Sequence, residues 1–187
     1  MSTAAPPKLL TTEEFARRPE PEDGSREELV RGEVITMPPP GFRHGEVTMQ
    51  IGFVLKSFLK GKQLGRVVIE TGVRTEHDPD TVRGPDVSYW SSERLPQSET
   101  IVSYPEVPAD LCVEVRSPSN KRRNLLAKVR EYLRAGVRMV WVVDPKDQTV
   151  TVYRRPGRGS KLRNHDVITA EDVLPGFACP VSQLFEF

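Results

Sequence analysis

DLCVEVRSPSNKRRNLLAKVREYLRAGVRMVWVVDP, residues 110–145, places two apolar runs on either side of a helix-forming stretch. In the first run, Asp110 to Arg116, alternation puts Leu111, Val113 and Val115 on one face and Cys112, Glu114 and Arg116 on the other, the period of a strand. Leu125, Leu126, Val129, Tyr132 and Leu133 then recur at helical spacing, and Gly136 offers a C-terminal cap. Val137 to Val143 is nearly all apolar, as a strand buried on both faces should be, and Asp144-Pro145 stops it. Strand, helix and buried strand in succession predict a βαβ crossover with parallel pairing.

Outward from this unit the chain remains a mixture of strands and helices. Thr11-Thr12-Glu13-Glu14-Phe15 carries a threonine cap and acidic first-turn residues, a short-helix signature stopped by Pro19 and Pro21. Glu28 to Met37 reads as a hairpin turning near Arg31-Gly32, and Pro38-Pro39-Pro40 cuts it off because proline gives a strand ladder no donor. Over 44–59, Val47, Ile51, Val54, Leu55, Phe58 and Leu59 make one helical stripe, ended by Gly61 and Gly65. Arg66 to Glu76 is expected as one strand, Asp78-Pro79-Asp80 as a turn, Asp86 to Trp90 as a further strand and 91–108 as a surface connection. Thr149 to Arg154 reads as an exposed strand, and Leu174 to Phe177 and Val181 to Phe187 are expected to pack back on the core. No internal repeat occurs. The first ten residues, 1–10, read as a flexible tail and 11–187 as a single domain.

With 187 residues, 37% hydrophobic and 28% charged, the chain can bury one sizeable core and is short for two. Two cysteines, Cys112 and Cys179, give neither a disulfide framework nor a zinc spacing. No run of about 18 apolar residues occurs, so the expectation is a cytoplasmic setting with no membrane partner. A net charge of +1 excludes a uniformly basic nucleic-acid binder. Charge is instead concentrated: eight Lys or Arg residues stand from Arg116 to Arg138 against Glu131 alone. That run suits phosphate and equally suits a solvated helix face.

Asp86 opens one expected strand and Glu114 lies inside another, so a sheet pairing the two brings two carboxylates to one end of the same face. Two such oxygens suit magnesium, which takes one or two protein carboxylates and completes an octahedron with water. An acid set among Cys112, Val113 and Val115 is costly to bury unpaired, which favours a role over an ordinary polar position. Arg116, about 7 Å along the same side of the strand, is placed to pair with Glu114 or to hold phosphate, but it is a poor proton acceptor. Lys128 borders the apolar stripe beside Tyr132, from which a long side chain reaches the sheet end. The same position suits a lysine that only snorkels.

Glu28-Leu29-Val30-Arg31-Gly32-Glu33, Met37-Pro38-Pro39-Pro40-Gly41, His44-Gly45, Gly84-Pro85-Asp86-Val87, Val113-Glu114-Val115-Arg116-Ser117-Pro118-Ser119, Lys128-Val129-Arg130-Glu131-Tyr132 and Trp141-Val142-Val143-Asp144-Pro145, in that order, resemble the Uma-two family. That family is a bacterial group of restriction-endonuclease-like domains, and the resemblance runs from about Thr11 to Phe185. It implies an α/β restriction-endonuclease-like core of the PD-(D/E)XK nuclease type. In that fold a mixed central β-sheet is flanked by helices, here with an N-terminal β-hairpin and C-terminal β additions. It further implies Mg²⁺ (or Mn²⁺) held by Asp86, Glu114 and the carbonyl of Val115. Where the superfamily pattern has lysine this chain has Arg116, and the resemblance moves the lysine role to Lys128. Glu28, His44, Arg116, Ser117 and Tyr132 are the accessory positions: His44 for phosphate, a metal-bound water or packing, Ser117 for support of Glu114 or helix capping.

The expected function is a metal-dependent endonuclease hydrolysing phosphodiester bonds, with Asp86, Glu114 and Lys128 catalytic and Lys121, Arg122 and Arg123 steadying backbone phosphates. The expected partner is nucleic acid, DNA in the first place, and a homodimer follows by analogy with related nucleases. The rival readings are a catalytically inactive nuclease-like DNA-binding or protein-interaction module, for which Arg116 argues, and a small-molecule phosphoesterase.

Overall fold

The computed structural model describes residues 8–118 and 121–187. Residues 1–7 of the expected tail and Ser119 lie outside them. At the start of the described chain, the Leu10 N–H donates to the Gly32 carbonyl at 2.8 Å, and its side chain joins Phe15, Leu29 and Val82. Helix α1 (Thr12–Ala16) has the threonine cap its sequence predicts, completed into a capping box: the Thr11 hydroxyl accepts the Glu14 N–H and the Glu14 carboxylate accepts the Thr11 N–H.

Strands β1 (Arg26–Val30) and β2 (Glu33–Met37) form the expected hairpin, turning through Arg31 and Gly32, both with positive φ. Helix α2 spans Phe42–Leu59. The single strand expected over Arg66 to Glu76 is instead two, β3 (Gly65–Ile69) and β4 (Val73–Glu76), in different sheets. The break is at Glu70, whose φ of 54° ends the pleat, and at Gly72, where a Cβ would lie 2.5 Å from the Tyr104 ring. Only a glycine lets the chain pass under that ring and cross to the second sheet. There β5 (Thr81–Arg83), which no alternation announced, completes the order β2-β1-β5-β4.

The larger sheet is built on β6 (Val87–Ser91), β7 (Leu111–Val115), β8 (Met139–Asp144), β9 (Thr149–Arg155) and β10 (Arg158–Leu162), in the order β10-β9-β8-β7-β6-β3. Among the described residues its one parallel pair is β7 with β8, joined through α3 (Arg122–Arg134) as the βαβ reading requires. Alternation along β7 sets the two layers. Leu111, Val113 and Val115 pack with Val47, Ile51 and Leu55 of α2, while Cys112 packs with Val129 and Tyr132 of α3. The sheet is therefore mixed and covered by a helix on each face, the restriction-endonuclease-like arrangement.

Strand β9 is not the exposed strand expected, because β10 pairs along its outer edge and Val150 and Val152 are buried. The connection 91–108 is not purely surface either: Leu95 is buried, and the Tyr104 ring stacks at 6.2 Å on Phe15. The C-terminal segment packs back as expected. Strands β11 (Val167–Thr169) and β12 (Ala178–Pro180) pair, and a 3-10 helix, Val181–Phe185, sends Val181, Leu184 and Phe185 into the core with Leu174 and Phe177. No helix among the described residues is long and apolar enough to cross a membrane.

Candidate active site

Strands β6 and β7 run antiparallel with Val87 opposite Val113, so Asp86, one residue before β6, arrives beside Glu114. Its backbone N–H donates to the Val113 carbonyl at 2.9 Å, and its Oδ2 accepts the Val115 N–H at 2.6 Å. The carboxylate thus bridges onto the neighbouring strand at the point where β7 ends. Its Oδ1 accepts from Arg26 at 2.8 Å and lies 3.2 Å from His44 Nε2. Burial pushes the Asp86 carboxyl up, but His44, the Val115 N–H and Arg26 outweigh it and hold the group below its ordinary range.

Glu114 is placed differently. Its Oε1 accepts the buried Tyr132 hydroxyl at 2.7 Å, and Lys128 Nζ lies 3.4 and 3.5 Å from its two oxygens. Burial raises it to about 7; Lys128 pulls it down while the negative charges of Asp86 and Glu28 push it up. Lys128 is held more closely by Glu28, whose Oε1 accepts from Nζ at 2.6 Å and from the Gly84 N–H at 3.0 Å. Desolvation lowers Lys128, yet Glu114 and Glu28 more than offset it, so it stays protonated.

Asp86, Glu114, Val115, Ser117, His44 and Lys128 all line one cleft of about 310 Å³, walled by Pro38, Pro39 and Pro40. A cleft of about 600 Å³ adjoins it through Arg26, Met37, Pro40 and Gly84 but touches neither Asp86 nor Glu114, so the two carboxylates face the smaller one. No group of three or more His, Cys, Asp or Glu side chains among the described residues forms a ready-made metal cage. Two carboxylates on adjacent strands nevertheless form a donor set that fits magnesium, which keeps most of its waters. Among the described partners, Asp86 Oδ2 accepts one hydrogen bond and Glu114 Oε2 only the long one from Lys128, so both retain lone-pair capacity toward a cation.

Two sequence expectations change here. Arg116 does not pair with Glu114: β7 ends at Val115, the Arg116 N–H donates to the Val143 carbonyl, and the guanidinium binds Asp144 at 2.6 Å. Lys128 of α3 is the cation beside Glu114. Ser117 is not the N-cap residue of α3, which begins at Arg122 behind Lys121. His44 touches Asp86 and, through Nδ1 at 3.4 Å, Thr48. Lys121, Arg122 and Arg123 stand exposed at the start of α3, outside the cleft.

Two arginines were missed. Arg26 sits two residues before Glu28 on β1 and so shares its side of the strand, a period-two signal that was available. Arg83 binds Glu28 at 3.0 Å and forks onto Glu131 at 2.7 and 2.8 Å, tying β5 to α3. Its role depends on a strand that sequence alternation did not reveal.

Residues 12–182 match the family Uma2, described as "Putative restriction endonuclease". A crystal structure described as a "putative nuclease belonging to DUF820 from Anabaena variabilis ATCC 29413" superposes with a TM-score of 0.80 at 23% identity. The match covers 94% of this chain and 97% of that one. At that identity the likeness establishes the nuclease-like fold. No curated protein matches the chain. With the family pattern extending over nearly all of its length, the chain belongs to the Uma2 family of restriction-endonuclease-like proteins.

Proposed function

We propose that the protein is a metal-dependent endonuclease that hydrolyses nucleic-acid phosphodiester bonds in the cleft between Asp86 and Lys128. The observation that carries this reading is the convergence of Asp86, Glu114 and Lys128 on one open cleft at the end of adjacent strands. Asp86, Glu114 and the carbonyl of Val115 would hold Mg²⁺ or Mn²⁺, which when bound neutralises charge on the scissile phosphate and makes hydroxide available near neutral pH. Tyr132 fixes Glu114 by its hydrogen bond to Oε1, and His44 and Arg26 fix Asp86. Lys128, kept protonated by Glu28 and Glu114, donates toward the attacking water and orients it; it does not take the proton. Lys121, Arg122 and Arg123 crowd positive charge at the amino end of α3, against the helix dipole, a cost that a phosphate relieves.

The test is cleavage of plasmid and single-stranded substrates in Mg²⁺ or Mn²⁺ against EDTA, for the parent and for Asp86→Ala. Cutting by the parent only with metal, and none by the variant at unchanged thermal stability, is the expected result. A variant that cuts as fast as the parent overturns the site. A parent that binds nucleic acid and never cuts identifies the inactive binding module instead.

A further inference from the structure

Helix α2 carries apolar side chains on two faces. Val47, Ile51, Val54 and Leu55 enter the core, as its stripe predicts. Phe42, Met49 and Phe53 recur at i, i+7 and i+11 on the opposite side and are 84%, 75% and 62% exposed. Ile69 of β3, 54% exposed, extends the patch: it lies beside α2, where a Cβ at Gly52 would stand 3.5 Å from its Cγ2. Between helix and strand runs a groove of about 500 Å³, lined by Gly45, Met49, Gly52, Phe53, Lys56 and Ile69. A Cβ at Gly45 would meet nothing within 4 Å, so the groove is open on that side. Arg26 and Pro40 line both this groove and the cleft of Asp86 and Glu114, so the patch begins at the edge of the candidate active site.

A helix apolar on both sides is normally buried on both. Residues 1–7, Met-Ser-Thr-Ala-Ala-Pro-Pro, hold no aromatic or branched aliphatic side chain to cover the patch from within the chain. The charges around it instead match a second copy of themselves. A two-fold axis crossing α2 at the level of Ile51 makes two copies of the helix antiparallel and pairs each residue with the one equally far beyond the axis. Met49 then meets Phe53 of the second copy, Glu46 meets Lys56, and Phe42 meets the stem of Lys60, each contact occurring twice. At 3.6 residues per turn all six positions lie within about 40° of the middle of the outward face. Lys56 is exposed, and Glu46 holds Arg43 only at a long 3.4 Å, which leaves its carboxylate able to take a further cation. Taking about 200 Å² for a fully exposed large side chain, Phe42, Met49, Phe53 and Ile69 present roughly 500 Å² of apolar surface per copy, so pairing removes about 1,000 Å² before the charged rim is added, the size at which specific interfaces begin. A nucleic acid stacking its bases on the two phenylalanines is less suited, because Glu46 and Glu70 border the patch along with Lys56.

We propose that the outward face of α2 is the surface on which the protein pairs with a second copy of itself, the two helices packing antiparallel with Met49 against Phe53 at the centre and Glu46 against Lys56 at either end. The pairing does not depend on whether the cleft cuts nucleic acid.

The experiment is sedimentation velocity over a range of protein concentration for the parent, Phe53→Glu, Glu46→Lys, Lys56→Glu and an equimolar mixture of the last two, with thermal unfolding of each to establish that it is folded. The parent should sediment as a dimer, and Phe53→Glu should raise the dissociation constant roughly a hundredfold. Each single charge reversal sets like charges against each other at both ends of the interface and should weaken pairing about tenfold. The mixture should restore it, because each reversed charge then faces its opposite on the other chain. A parent that stays monomeric overturns the proposal, as does a dimer indifferent to Phe53→Glu. Charge reversals without effect, or with an effect that the mixture does not relieve, overturn it as well. A monomeric parent whose binding to a labelled single-stranded 20-mer is lost in Phe53→Glu assigns the face to base stacking, and one that binds phosphatidylcholine vesicles assigns it to lipid; both overturn pairing. Metal-dependent cutting by a monomeric parent removes the pairing and leaves the nuclease reading, whereas a dimer with the expected charge pattern that never cuts does the reverse.

Discussion

Replacing Glu114 by glutamine should stabilise the metal-free protein. The charged form of Glu114 is disfavoured by burial and by Asp86 and Glu28, and even with Lys128 beside it the group titrates at about 7 where an ordinary glutamate titrates at 4.5. Between those values the folded protein retains a proton that the unfolded chain has released, so stability falls as pH rises through this window and the full cost is present above pH 7. The difference amounts to about 3 kcal/mol at pH 8, at roughly 1.4 kcal/mol per pH unit. Glutamine removes that cost and can still accept the Tyr132 hydrogen bond, while Lys128 retains Glu28 at 2.6 Å. The assay is thermal unfolding in EDTA at pH 5 and pH 8. Glu114→Gln should melt roughly 6–12 °C above the parent at pH 8 and within about 2 °C of it at pH 5, taking about 2–4 °C per kcal/mol. Magnesium should raise the parent's melting temperature and leave the variant's unchanged. A variant no more stable than the parent at pH 8 without metal refutes the claim that the site stores unfavourable charge.

Metal affinity should itself depend on pH, because a cation must displace the Glu114 proton: calorimetric titration with Mn²⁺ should show binding weakening about tenfold per unit below pH 7 and level above it. Arg83→Met leaves Glu28 without the guanidinium at 3.0 Å and Glu131 without its fork; urea denaturation should show a loss of about 3–5 kcal/mol. Gly72→Ala drives a Cβ into the Tyr104 ring and within 2.6 Å of Val82, and the same measurement should show a loss of about 1–3 kcal/mol.

The site was legible in its acids and less so in its cations. Asp86 and Glu114 could be read because one opens an apolar run and the other lies inside one, where a carboxylate needs a reason to be. Lys128 could be nominated from its place on the border of the α3 stripe, but whether it reaches Glu114 or points to water depends on how the helix is rotated over the sheet. Arg116 misled for a related reason: alternation predicts its side only while the strand continues, and β7 stops one residue earlier, sending the guanidinium to Asp144. The strands β10 and β5 were not visible, since short polar strands carry no hydrophobic period and owe their existence to neighbours that supply hydrogen bonds.

Local periodicity and capping chemistry by themselves determined the strand–helix–strand unit at 110–143, the hairpin, α1 and α2, because those patterns act over a few residues and survive without context. Tertiary structure alone decided the partition of 66–76 between two sheets, the attachment of Lys128 to Glu28, and the fork of Arg83 onto Glu131. Each of these depends on contacts between segments far apart in sequence, and no short-range pattern records which segments the folded chain brings together.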